Sequence, residues 1–165
     1  MMVVCALGMS VPAAGHDHKR PKTVLRSSGE RQVAQPWSFE WSRADGKFCV
    51  GVASDGVPNY DRKPMRWNPE RKIHLRLFKR QRPDDIRIRM HRRLAQDGLP
   101  AGRGKRADIN LRRVRLDGGL RIWIAGFEGL NARHLYLDAY AEWSDVEGCG
   151  GSQSMSLAFH LKRSD

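Results

Sequence analysis

Residues 70–94 read ERKIHLRLFKRQRPDDIRIRMHRRL, and isoleucines and leucines alternate there with arginines, lysines and histidines. In an extended chain Ile73, Leu75 and Leu77 share one side, with His74 and Arg76 on the other. After KRQRPDD the pattern returns: Ile86, Ile88 and Met90 point one way, and Arg87, Arg89 and His91 the other. A period of two, repeated twice, predicts half-buried β-strands rather than helix. The basic rows pose a functional question as well, because they could be a grip for a polyanion or the wet side of an ordinary sheet.

The same texture runs on from Trp37. WSFEWS, KFCVGV, INLRRVRL, LRIWIAGF, HLYLDAYAEW and SMSLAFHLKR all carry short alternating runs. Turn chemistry separates several of them. Asp45-Gly46 supplies the positive φ angles of a tight hairpin, and Asp117-Gly118-Gly119 does the same further on. The stretch SDGVPNYDRKPMRWNPER reads as a long loop. About eight strands with no amphipathic helix predict an all-β fold, a two-sheet antiparallel sandwich over residues 36–163 that resembles the immunoglobulin-like arrangement.

At 165 residues the chain is one domain with enough length for a sizeable core. Its net charge of +12 is unevenly placed. Residues 71–121 hold 17 Lys/Arg against 5 Asp/Glu, whereas residues 122–165 hold 3 against 6. That asymmetry favours anionic partners without choosing among them. Residues 1–15 are uncharged, apolar and end in Ala13-Ala14-Gly15, which resembles a secretory signal peptide without its basic start. Residues 16–35 read as a flexible basic lead-in. With Cys5 in the signal, Cys49 and Cys149 are left as a pair, and a disulfide between them is expected of an exported chain. The expected location is extracellular or associated with the cell envelope.

Two groups of residues are candidate binding sites. Arg76, Arg87, Arg89 and His91 form one basic surface if their strands pair, with Asp138 and Glu142 as the internal carboxylates that could neutralise them instead. Trp123, out of phase with Ile122 and Ile124, forms an aromatic platform with Tyr136 and Tyr140 for a sugar ring or a base. No nucleophile elbow, phosphate-cradling loop or zinc spacing is present, so no catalytic residue, no metal site and no cofactor is expected.

The expected role is a secreted, non-catalytic binding or interaction protein. Its expected partner is an anionic polymer or carbohydrate at the cell surface, not a specific nucleic acid, and the chain is not expected to span the membrane. The alternative from another class is a secreted hydrolase or copper enzyme. Cleavage after Gly15 would leave His16 at the amino terminus, which resembles the copper-dependent polysaccharide oxygenases. That resemblance implies a second histidine among His74, His91, His134 and His160. The rest of the chain does not match that family.

Overall fold

The structure is a computed structural model that describes residues 23–27, 29–45, 48–60, 63–77, 82–113, 120–125, 127, 132–144 and 152–164. Among them are twelve strands and no helix. Five strands, β1 (Thr23–Ser27), β2 (Glu30–Val33), β6 (Ile73–Leu77), β9 (Asp108–Arg113) and β10 (Leu120–Ala125), form one sheet in the order β2-β1-β6-β10-β9. The other sheet has seven. It holds β3 (Gln35–Asp45), β4 (Phe48–Asp55), β7 (Asp85–His91), β8 (Lys105–Arg106), β11 (His134–Trp143) and β12 (Gln153–Arg163), ordered β4-β3-β12-β11-β7-β8. Its seventh strand, β5 (Met65–Trp67), runs parallel to β12, and every other pairing is antiparallel.

Alternation decides the layering. In β11 and β12 buried and half-buried residues alternate almost without a break. Leu135, Leu137, Met155, Leu157 and Phe159 therefore turn to the same side. They belong to one continuous core with Leu25, Ile73, Leu75 and Ile122 of the five-stranded sheet. Each fully buried aliphatic side chain contributes about 1.5–3 kcal/mol, so this shared core is what holds the sheets as a sandwich. No helix among the described residues is long and apolar enough to cross a membrane.

Three expectations are corrected here. Residues 23–33, expected within a flexible lead-in, form β1 and β2, and β1 sits between β2 and β6 with Leu25 fully buried. Residues 1–22, including the signal-like start, lie outside the described residues. Second, the long loop before residue 72 contains β5, whose Met65 and Trp67 enter the core. Third, β6 and β7 do not pair. They lie in different sheets, so the connection between them is a crossover and not a hairpin turn. Period two assigns each residue a face but names no neighbouring strand, which is why the sequence pattern was compatible with both arrangements.

Candidate functional site

The outer face of the five-stranded sheet carries two rows of residues set by register. One row runs Arg31, Arg26, His74, Trp123 and Asn110 across β2, β1, β6, β10 and β9. The next runs Val33, Val24, Arg76, Arg121 and Arg112. On β1, β6, β9 and β10 these residues alternate with positions in or against the core, so the same pattern that buries Leu25, Leu75 and Ile122 turns the arginines outward. Arg76 and Arg121 are direct cross-strand partners, as are Arg121 and Arg112, and Arg26 and Arg31. Like charges directly opposed destabilise a sheet.

Two carboxylates border this face: Glu70 lines the cleft beside Arg112 and Trp123, and Glu30 the hollow beside Arg26 and Arg31. The outward strand positions of this sheet among the described residues offer one acid, Asp108, at the corner of the sheet opposite Ala125. Glu30 is engaged elsewhere, with Arg66 Nη2 at 3.1 Å. Trp123 lies in the middle of this surface. The Arg121 guanidinium carbon is 5.6 Å from its ring centroid, Lys72 Nζ 6.0 Å and the His74 ring 4.8 Å. Such cation–π contacts contribute about 0.5–1 kcal/mol each at exposed sites. A cleft of about 480 Å³ runs along one side of the indole, between Lys72, Asn110, Arg112 and Phe127.

His74 reports the potential of this face. Its pKa is lowered from 6.5 to about 4, first by burial and then by Arg121, Arg26 and Arg76. The unfolded chain thus binds the proton more tightly between pH 6.5 and about 4. The stability tied to neutral His74 is present above pH 6.5 and is lost as pH falls through that window. His74→Asn is expected to make the stability curve flatter there, and the His74 ring of the parent protein should titrate near pH 4 by NMR. Titration near 6.5 would contradict the described electrostatics. Burial and the same neighbours, Arg121 and Arg26, also lower the Arg76 guanidinium.

The residues singled out in the sequence are divided between the two outer faces. Arg76 and Trp123 are on the five-stranded sheet, and Arg87, Arg89, His91, Tyr136 and Tyr140 on the seven-stranded one. Neither the four-residue basic surface nor the three-residue aromatic platform is therefore one surface. On the seven-stranded sheet the arginines are internally engaged. Arg87 Nε lies 2.7 Å from Asp85 Oδ2, and its guanidinium carbon is 4.7 Å from the Tyr140 ring centroid. Arg89 Nη1 donates to the Arg103 carbonyl at 2.8 Å and stands opposite Asp138 in register. Glu142 accepts from the Tyr140 hydroxyl at 2.8 Å. His91 is buried, at 5% exposure. Tyr136 meets Tyr60 edge-on and stacks on His160, with ring centroids 5.5 and 4.7 Å away.

Cys49 lies on β4 opposite Ala44, and Cys149, its expected disulfide partner, lies outside the described residues. Of the four histidines named for a copper site, His134 and His160 come together, Nδ1 to Nε2 at 2.9 Å. Among the described residues no group of three or more His, Cys, Asp or Glu is spaced to hold a metal ion. Sequence reasoning missed Arg26, Arg31, Arg112 and Arg121. The signal for Arg112 and Arg121 was the same alternation that exposed Arg76, whereas Arg26 and Arg31 were lost with the lead-in. No protein-family model matches the chain, and no match was found among curated proteins or solved structures.

Proposed function

We propose that the chain is an exported, non-catalytic binding protein that grips an anionic polymer with the outer face of its five-stranded sheet. One observation carries this reading: Arg76, Arg121 and Arg112 stand in direct register across three strands, Arg26 and Arg31 in register beside them, with Asp108 the lone outward acid among the described strand positions of that sheet. Opposed arginines raise the energy of the unliganded sheet, and a polymer of regularly spaced anions relieves it. Trp123 adds a stacking surface amid the cations. Export rests on the signal-like residues 1–15. We also read the layering as immunoglobulin-like, two sheets around one core, with twelve strands among the described residues where that fold has about seven to nine.

The test is salt dependence. Binding to duplex DNA or heparin is expected to weaken steeply with salt, and Arg26, Arg31 and Arg112 are exposed enough to replace without harming the fold. Each lost contact with duplex DNA lowers the log–log slope by roughly 0.9, so the triple alanine variant should lose about 2.7. Arg87→Ala with Arg89→Ala should leave the slope nearly unchanged, since those side chains are engaged within the protein. An unaltered slope in the triple variant would end the proposal.

A further inference from the structure

The outer face of the seven-stranded sheet holds a second cavity, of about 480 Å³, on the side of the molecule away from the arginine rows. That size suits a small molecule rather than a polymer. The wall is chiefly apolar and aromatic: Val57, Pro58 and Tyr60 come from one loop, Leu99 and Pro100 from another, and Trp37 from β3. Val57, 71% exposed, and Leu99 are far apart in sequence, yet both leave apolar surface in water around the same hollow.

Local backbone features build this wall. The pairing of β12 with β3 shifts between Ser156 and Leu157, so Ser38 and Pro36 are consecutive partners and Trp37 is the extra residue. A bulge of this kind re-aims one side chain. The loop carrying Val57 comes within reach of Trp37 because residue 56 is glycine: a Cβ there would stand 2.6 Å from the Trp37 carbonyl oxygen.

Charge selects the ligand. Asp138 is already committed, since it accepts from the Trp37 indole N–H, and its Oδ1 is closed to solvent. His91 is hydrogen-bonded to the Ala101 backbone, and burial lowers its pKa, so the imidazole is neutral near pH 7. Two cations remain in the lining, Arg89 and Arg103, both exposed. Arg89 spends Nη1 on the Arg103 carbonyl at 2.8 Å, which anchors its guanidinium at the loop and leaves further N–H donors in the fork. Two guanidiniums against one buried carboxylate give the lining a net charge of +1. An ammonium head would meet two arginines. A neutral apolar molecule would use neither of them. A carboxylate takes paired N–H donors from a guanidinium, and its single charge matches the excess.

We propose that this cavity binds a small amphiphilic carboxylate, its head held by Arg89 and Arg103 and its apolar body lying against Val57, Pro58, Leu99 and Pro100. The site is on the opposite face from the arginine rows, so it does not compete with a polymer bound there.

Octanoate, 1-octanol, octylamine and acetate are the probes. Each is titrated into the full chain while the indole N–H resonances of Trp37, in the cavity, and Trp123, among the arginine rows, are followed by NMR. Octanoate should bind tightest and shift Trp37. Octanol should be about tenfold weaker for want of charge-assisted bonds, and acetate at least about tenfold weaker for want of an apolar body. Octylamine should be the weakest of the octyl probes. Arg103→Gln removes one cation but keeps the backbone carbonyl that anchors Arg89, and should weaken octanoate about three- to tenfold while leaving octanol unchanged. Octanol or octylamine binding as tightly as octanoate would overturn the proposal. Acetate matching octanoate would do so too, since it would show an anion drawn only by the net charge of +12. A shift at Trp123 in place of Trp37, or a Trp37 resonance that no probe moves, would place the binding elsewhere and end the proposal. The probe series needs no variant, so it decides the matter even if Arg103→Gln disturbs the fold.

Discussion

Trp67→Ala is expected to destabilise the protein by about 3–5 kcal/mol, the range for removing a large aromatic from a core. Trp67 is 0% exposed and lies 5.4 Å from Phe127, ring centroid to centroid. Its carbonyl accepts from both the backbone N–H and the hydroxyl of Ser164, so the strand that carries it is tied to the end of β12. For a chain of this length about 1 kcal/mol corresponds to roughly 2–4 °C, so the melting temperature should fall by roughly 6–20 °C. Trp67→Phe should cost much less, because the indole Nε1 has no partner among the described residues and its loss removes no hydrogen bond. A thermal melt of the two variants checks both. An alanine variant that melts within a degree or two of the parent would mean that Trp67 is not in the core.

Gly104→Ala is expected to have the second largest effect. A side chain at φ +65° is strained by about 1–3 kcal/mol whatever surrounds it. Here the new methyl also runs into the His91 ring. Gly98, at φ +79° with nothing within 4 Å, isolates the first contribution. Chemical denaturation should therefore find Gly104→Ala more destabilising than Gly98→Ala. The difference measures how firmly His91 is held by its neighbours. Equal costs would show that the ring moves aside freely.

How much of this could be read in the sequence depended on length and alternation. β6, β7, β11 and β12 were legible because five or more residues kept strict period two, and the inward residues named for β6 and β7 are buried. β1, β2, β5 and β8 were not. β8 has two residues and β5 three, too few to display a period, and β2 is an edge strand with neither side fully buried. β1 offers only TVLRS, and its apolar residues are consecutive rather than alternating. The basic surface was half legible. Arg76 was correctly turned outward, but which arginines stand beside it is a question of strand order, settled by contacts distant in sequence. The cavity was not legible at all, since it depends on a bulge at Trp37 and on two loops, residues 56–60 and 99–103, far apart in sequence.

The place of β12 has a consequence for synthesis. Although it is the last of the described strands, it lies in the interior of the seven-stranded sheet, paired with β3, β11 and β5. On the ribosome, β3 with β4 and β11 with β7 can pair before β12 emerges, yet among the described strands no backbone ladder joins those two pairs until it does. During that interval β3 and β11 each present an unpaired row of backbone donors and acceptors, and β11 is ten residues long. Such edges recruit other chains as readily as their own. The nascent protein thus depends on the prompt arrival of residues 153–163, and it is in this unfinished state that a holding chaperone would have the most to cover.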